Sequence, residues 1–343
     1  MRKLLNTLYV TSPDAYLSLD GENVVVIREE KEAGRVPLHN IEGITSFGYT
    51  GASPALMGKC ARNNIALTFM SSNGSFLARI IGESRGNVLL RKKQYRISDD
   101  LTESLTIARN IIIGKIYNSK WVIERATRDY AMRLDIDKLK RATAILQNSI
   151  QLVASCDTMD QLRGYEGEAA SVYFQVIDDL ILHQKDDFFF RGRNKRPPLD
   201  NVNALLSFSY SLLTSNVGAA LESVGLDAYV GFMHRDRPGR MSLALDLIEE
   251  LRSVYADRFV ITLINKRMIS PKDFLKKEDG AVILVDNARK KFLTAWQEKK
   301  KEIITHPFLG EKIEWGLVPY VQSMLLARYL RGDLDEYPPF LWK

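Results

Sequence analysis

Apolar and polar residues alternate over the first eighty positions, then apolar residues recur every three or four places for most of the remaining chain. Leu5–Val10, Ala15–Leu19, Asn23–Arg28 and Arg35–Pro37 are short and rich in β-formers. Pro13-Asp14 and Asp20-Gly21 separate them, and Asp-Gly between such runs predicts a hairpin. Ile41–Phe47 continues the pattern. Ser53–Asn63 interrupts it: Ser53 is a capping residue, Pro54 fits a first helical turn, and Leu56, Met57, Cys60 and Ala61 follow at helical spacing. Ile65–Met70 and Ser75–Ile81 return to strand spacing around Asn73-Gly74. A mostly-β domain with one helix is expected to about Gly82.

From Leu101 onward the spacing predicts helices over Leu101–Arg133, Ile136–Ser155, Met159–Gln184, Asn203–Val224, Ser242–Tyr255, Met268–Leu275, Ala288–Lys300 and Trp315–Leu330. No repeat period appears. Between the two regimes, Leu90–Ile97 carries Arg91, Lys92, Lys93 and Arg96. It reads as a basic connector, either a solvated face or a phosphate contact. The expected fold class is α+β: a small β-rich N-terminal domain over 1–97, followed by a larger all-α C-terminal domain over 98–343.

Composition adds little to this picture. The 343 residues are 45% hydrophobic and 26% charged, ordinary for a globular protein. Lys and Arg number 48 against 42 for Asp and Glu, giving a net charge of +6 and a pI near 9.1. That balance permits nucleic acid as a partner without requiring it. Cys60 and Cys156 have no CxxC or CxxH neighbour, which suits buried thiols in a reducing compartment and argues against a thiolate metal site. The N-terminus has Arg2 and Lys3 but no apolar run long enough for a signal peptide, and no stretch approaches the length of a membrane span. A cytoplasmic protein is expected.

Candidate chemistry lies in four stretches. The first, Arg163–Phe174, opens a largely apolar segment yet places Glu166 on one helical stripe with Leu162, Ala169, Ala170 and Tyr173. A carboxylate aimed at packed neighbours needs a cation or a metal; otherwise Glu166 faces water. Gly164 and Gly167 flank it and leave room for a close approach. In the second, Gly225–His234, the imidazole of His234 ends an apolar run at the mouth of the loop Arg235–Arg240. It is either structural or a metal ligand.

The third, Ser242–Arg252, has Leu245, Ile248 and Leu251 on its buried arc. Glu249 borders that arc, with Asp246 and Glu250 further round. Asp246 and Glu249, three apart, can face one site, but spacing alone does not choose Glu249 over Glu250. Carboxylate and imidazole ligands of this kind suit Mg²⁺ or Mn²⁺ and phosphoryl transfer. The fourth, Phe188–Leu206, sets Arg191, Arg193, Lys195 and Arg196 before Pro197-Pro198, a basic surface loop or a phosphate clamp. Lys299-Lys300-Lys301 reads as a basic surface run at a helix end.

Taken in order, these motifs resemble the universal CRISPR-associated endonuclease/integrase family, the larger subunit of the spacer-acquisition complex. The resemblance rests on Gly-Tyr-Glu-Gly-Glu-Ala-Ala at 164–170, Arg-Pro-Pro-Leu-Asp at 196–200 and Asn-Ala-Leu-Leu-Ser-Phe at 203–208. Gly-Leu-Asp at 225–227, Gly-Phe-Met-His at 231–234, Gly-Arg at 239–240 and Ser-Leu-Ala-Leu-Asp-Leu-Ile-Glu-Glu at 242–250 follow. The N-terminal half matches more loosely through Cys60, Gly74 and Gly86-Asn87-Val88. The ending Glu336–Lys343 looks like the branch serving type I-C systems.

The resemblance implies a catalytic C-terminal domain, a homodimer formed mainly through the N-terminal domains and a small ferredoxin-like companion subunit. It also implies Mg²⁺ or Mn²⁺ held by Glu166, His234 and Glu249, with Asp246 either supporting the site or serving as the alternative third ligand, Asn203 nearby, and Glu168 and Glu250 excluded. Arg191, Arg193 and Arg196, read from the basic loop itself, are the candidate DNA phosphate contacts. The implied reaction is insertion of a short DNA duplex at repeat–leader DNA by 3′-hydroxyl attack, with nuclease activity on branched DNA in isolation and no membrane involved. The competing reading is a non-catalytic basic helical scaffold for nucleic acid.

Overall fold

The computed structural model describes residues 6–71, 74–82 and 87–343. Arg2, Lys3, Leu5, Asn73 and Gly86 lie outside the described residues, and so do the N-terminal leader test and half of the Asn73-Gly74 turn. The chain divides into two compact units. The first takes residues up to 86 together with 284–303 and 314–317, and the second takes the remainder.

The first unit contains β1 (Asn6–Val10), β2 (Tyr16–Asp20), β3 (Asn23–Arg28), β4 (Lys31–Pro37), β5 (Ile41–Phe47), α1 (Pro54–Arg62), β6 (Ala66–Met70) and β7 (Phe76–Ile80). Strands β2, β3 and β4 form an antiparallel meander, with Asp20 paired to Asn23 across the Asp-Gly turn. A second sheet has the order β1-β5-β6-β7, in which β1 and β6 both run parallel to β5 while β7 is antiparallel to β6. Parallel neighbours need a crossover, and α1 supplies it between β5 and β6. The Ser53 hydroxyl caps α1 by accepting from the Leu56 N–H at 3.2 Å. Leu17, Val24, Ile44, Leu56, Cys60 and Leu67 are buried together as this unit's core.

The chain continues through α2 (Val88–Asp99), α3 (Leu101–Asp129), α4 (Ile136–Ala154), α5 (Met159–Val176), α6 (Asn201–Ser223), α7 (Ser242–Glu249) and α8 (Arg258–Asn265). There follow β8 (Phe274–Lys276), β9 (Val282–Leu284), α9 (Asp286–Lys301), β10 (Ile303–Thr305), β11 (Lys312–Glu314) and α10 (Val318–Arg331). In the second unit α3 packs along α4 and α5, and α6 packs against α7, α8 and α10. Both cysteines are free and buried.

Several expectations need correction. The units do not meet at residue 97: the basic stretch 90–97 lies inside α2, which packs on α3 and α10 in the second unit. The C-terminal part is not all-α, since β8 pairs with β9 and β10 with β11. Met268–Leu275 is not a helix. Pro271 follows Ser270, and the Asp273 carboxylate accepts from both the N–H and the hydroxyl of Ser270, closing a single 3₁₀ turn. Helix α7 stops at Glu249 and passes into a wider π turn over Arg252–Asp257.

The lysine run is also placed differently from expectation. Lys299 and Lys300 are buried, and Lys300 Nζ reaches Glu42 at 3.0 Å and the Thr7 hydroxyl at 3.1 Å. Finally, α6 is long and apolar enough to cross a membrane. Leu205, Leu213, Val217 and Leu221 on it are fully enclosed, so it serves as the core helix of the second unit.

Candidate active site

Helix α5 begins where the Thr158 hydroxyl accepts from the Gln161 N–H, and two turns later it presents Glu166. The structure gives that inward carboxylate a cation. Lys115, on the inner face of α3, pairs with Glu166 Oε1 and lies 2.7 Å from Glu249 Oε2. Glu249 is the last residue of α7, and its Oε1 receives Arg252 Nη1 at 3.1 Å. Two carboxylates from segments eighty residues apart therefore converge on one ammonium group.

Burial works against the charge on each of these groups, and the pairing overcomes it. Burial pushes the Glu249 carboxyl up, but Arg252 and Lys115, with a smaller contribution from His234, hold it at about 2. Burial likewise lowers Lys115, while Glu249 and Glu166 outweigh it and keep the ammonium charged.

Asp246 organises the third stretch. It is fully buried, and its Oδ2 accepts from the N–H groups of Phe232 at 2.6 Å and Met233 at 3.1 Å. Its Oδ1 accepts from the His234 N–H at 3.0 Å and lies 2.6 Å from His234 Nδ1. The backbone at 231–234 thus wraps around one carboxylate, and only glycine fits at 231. A Cβ there would lie 2.7 Å from Asp246 Oδ2 and 2.9 Å from Ser242. Every Asp246 oxygen is engaged by this turn, so Asp246 orients the imidazole through Nδ1 and leaves Nε2 as the nitrogen available to a ligand. Arg163 ties the same turn to α5, donating to the Met233 carbonyl at 2.8 Å.

Glu250, one residue beyond Glu249, points the other way. It accepts from Tyr337 Oη at 2.5 Å, Gln322 Nε2 at 3.0 Å and the Phe340 N–H at 2.8 Å. Spacing left Glu249 and Glu250 unresolved, and this geometry separates them. Glu168 is exposed. Gly164 and Gly167 are not sites of close approach within this chain, because nothing lies within 4 Å of a Cβ built at either one.

The basic loop is split as well. Arg193 turns inward, donating to Asn203 Oδ1 at 2.7 Å and the Ser207 hydroxyl at 3.0 Å. Asn203 spends its remaining hydrogen bonds on Gly192, Asn194 and Asp200, so it fastens the loop and makes no contact with Glu166, His234 or Glu249. Arg191 and Arg196 are exposed, Arg191 over the Phe189 ring. Tyr210 lies against two guanidinium groups, Arg252 at 5.2 Å and Arg193 at 5.3 Å from the ring centre. Its hydroxyl donates to the buried Asp257 at 2.5 Å, and that of Tyr173 does so at 3.1 Å. Lys195 is held below its usual range by desolvation and then by Arg252, Arg193 and Arg196. This loop therefore concentrates positive charge beside Glu249.

Lys115, Arg252 and Tyr210 were not singled out from the sequence. Lys115 carried a readable signal: it follows Ala108 and Ile111 and precedes Ser119 and Val122 on one helical stripe, as inward as Glu166. The contacts of Arg252 and Tyr210 depend on the π turn, which no residue pattern marks.

A strand-rich unit is thus followed by a helical unit that holds a buried cluster of carboxylates, an imidazole and cations. The family model described as CRISPR associated protein Cas1 matches residues 8–298. The CRISPR-associated endonuclease Cas1 1 of Chlorobaculum tepidum is 48% identical over 343 residues, all of both chains. The chain belongs to the Cas1 family. Among solved structures, a casposase bound to integration product superposes with a TM-score of 0.83 at 23% identity, covering 100% of this chain and 95% of that one. A chain of a Cas6-RT-Cas1–Cas2 complex superposes with a TM-score of 0.82 at 21% identity, covering 100% of this chain and 36% of that one.

Proposed function

We propose that this chain is a metal-dependent DNA endonuclease and integrase that inserts short DNA duplexes as spacers into a CRISPR array. In this reading it serves a type I-C system, works as a homodimer and pairs with a small ferredoxin-like companion. Membership of the Cas1 family supports the reaction class. The integration product named with the casposase and the Cas2 named with the reverse-transcriptase complex support the substrate and the partner.

The observation that carries the proposal is the meeting of Glu166 and Glu249 around a single positive charge beside an imidazole already oriented by a carboxylate. The donor set fits a hard divalent ion: carboxylate oxygens and one ring nitrogen. Glu249 Oε2 is buried, and its partner is the Lys115 ammonium at 2.7 Å. Among the described residues no three such side chains form a ready-made group around an ion, and Lys115 occupies the place between Glu166 and Glu249. Glu166, His234 and Glu249 would hold Mg²⁺ or Mn²⁺, which would supply Lewis-acid stabilisation of charge on a phosphate oxygen. Asp246 keeps His234 in one tautomer and orientation. Arg191, Lys195 and Arg196, the exposed cations of the loop, hold the phosphates, while Arg193 fastens the loop to Asn203 and Ser207 and Arg252 stays with Glu249, both arginines lying against Tyr210. A DNA 3′-hydroxyl as nucleophile gives strand joining, and water gives hydrolysis.

The test is Mn²⁺-dependent joining and cleavage of branched DNA by the full chain. Glu166→Ala and His234→Ala are expected to lower both activities at least about a hundredfold while DNA binding survives. Full activity in either variant overturns the enzymatic reading in favour of a nucleic-acid scaffold.

A further inference from the structure

Lys115 and the candidate metal ligands make demands that cannot be met together. The ammonium is paired with Glu166 and Glu249, the two carboxylates that the proposed function assigns to an ion. Its place is fixed by the backbone. Gly114 brings α3 so close to the end of α7 that a Cβ there would lie 3.1 Å from the Glu250 and Pro339 side chains. A larger residue at 114 would press on Glu250 and Pro339.

Within the four-group set that holds Lys115 the charges cancel without a metal, while the nearby Asp246 carboxylate is engaged by the 231–234 turn and His234. Glu166 and Glu249 carry two negative charges, Lys115 and Arg252 carry two positive ones, and all four belong to one set of contacts. A divalent ion added to this set leaves two uncompensated positive charges in a buried place. It also leaves an ammonium without an anion, an expensive state. A nucleic-acid phosphate corrects both.

We infer that Lys115 is a resident counter-ion that a divalent metal must displace, and that the released ammonium is taken up by a phosphate of bound DNA. Resting on the proposed function, this makes metal and DNA mutually dependent ligands. Each raises the affinity of the other by the same factor, as linkage requires. Lysine suits the role: its compact charge rides on a flexible stem that can swing from a carboxylate to a nearby phosphate. Metal alone binds weakly, and the site fills when DNA supplies the missing negative charge.

The experiment titrates Mn²⁺ into the full chain, reading free ion by electron paramagnetic resonance, with and without a short DNA duplex. For the unaltered protein, DNA is expected to tighten Mn²⁺ binding about tenfold or more. Lys115→Met removes the competing charge, so it binds Mn²⁺ about tenfold more tightly without DNA and gains little when DNA is added. A folded Lys115→Met protein that binds Mn²⁺ no better than the unaltered chain overturns the inference. If that variant fails to fold, the unaltered chain decides. Reductive methylation of Lys115, followed by mass spectrometry, is expected to speed up when Mn²⁺ is added, and an unchanged rate overturns the inference. Failure of the proposed function looks different: no Mn²⁺ binding by the unaltered chain with or without DNA.

Discussion

At the scale of single residues, two adjacent carboxylates behave in opposite ways. Glu249 is held at about 2 because Arg252 and Lys115 outweigh burial. Glu250 has no cation and only neutral donors, so burial pushes it up to about 7. A group whose folded value is raised favours the folded state while it is protonated. Its contribution is complete below the unfolded value near 4.5 and is lost as pH rises through about 7. By linkage Glu250 can cost up to about 3 kcal/mol over that window. Glu250→Gln is therefore expected to flatten the fall in melting temperature between pH 5 and pH 8, followed by circular dichroism. An unchanged slope would place the titration elsewhere, on Asp257 for instance, which burial raises to about 6. In the sequence Glu166 was visible as a charge on an apolar stripe, and so was Lys115 on its own helix. What linear spacing could not reveal was that each is the other's partner.

At the scale of elements, the C-terminal tail does more than end the chain. Asn118 on α3 donates to the Glu250 carbonyl at 2.6 Å and the Phe340 carbonyl at 2.7 Å, and accepts from the Trp342 N–H at 2.9 Å. Gln322 on α10 bridges Glu250, Tyr337 and His306. The Trp342 ring lies against the guanidinium groups of Arg125 and Arg258. Removing residues 336–343 strips partners from three buried polar side chains, each worth about 1–3 kcal/mol. A fall of roughly 10 °C in melting temperature is expected for a unit of this size, and calorimetry on the truncated chain checks it. The start of α1 was readable from its capping residue Ser53, and α5 begins at the expected Met159, whereas α6 begins at Asn201, two residues before the expected Asn203. Ends were harder. Gln184 was the expected end of α5, which stops at Val176, and the π turn after Glu249 has no marker at all.

At the scale of the molecule, the strand-to-helix switch in apolar spacing was legible, but the division into units was not. Residues 284–303 and 314–317 belong to the first unit although they are far along the chain. The clue was hidden in Lys299 and Lys300, which read as solvent-facing because two adjacent lysines usually are. Lys300 instead meets Glu42, and Lys299 lies 5.0 Å from the Trp315 ring centre. The cations of the second unit were more legible: Arg193, Lys195 and Arg196 stand together in sequence as well as in space. DNA affinity carried by such a cluster must fall with salt. Lys195→Ala with Arg196→Ala is expected to lower the slope of log affinity against log salt by about two and to weaken all duplex sequences alike. Fluorescence anisotropy over a salt series measures this, and an unchanged slope would move the contact surface away from this loop.

The tail contacts also bear on how the protein is made. Synthesis runs from the amino terminus, so Glu250 and Asn118 leave the ribosome well before Tyr337, Phe340 and Trp342. The first unit is likewise incomplete until residues 284–303 and 314–317 have been made, and Glu250 and Asn118 lack their partners until residues 337–342 follow. Until then the apolar surface that these late segments cover stays open, a state prone to aggregation.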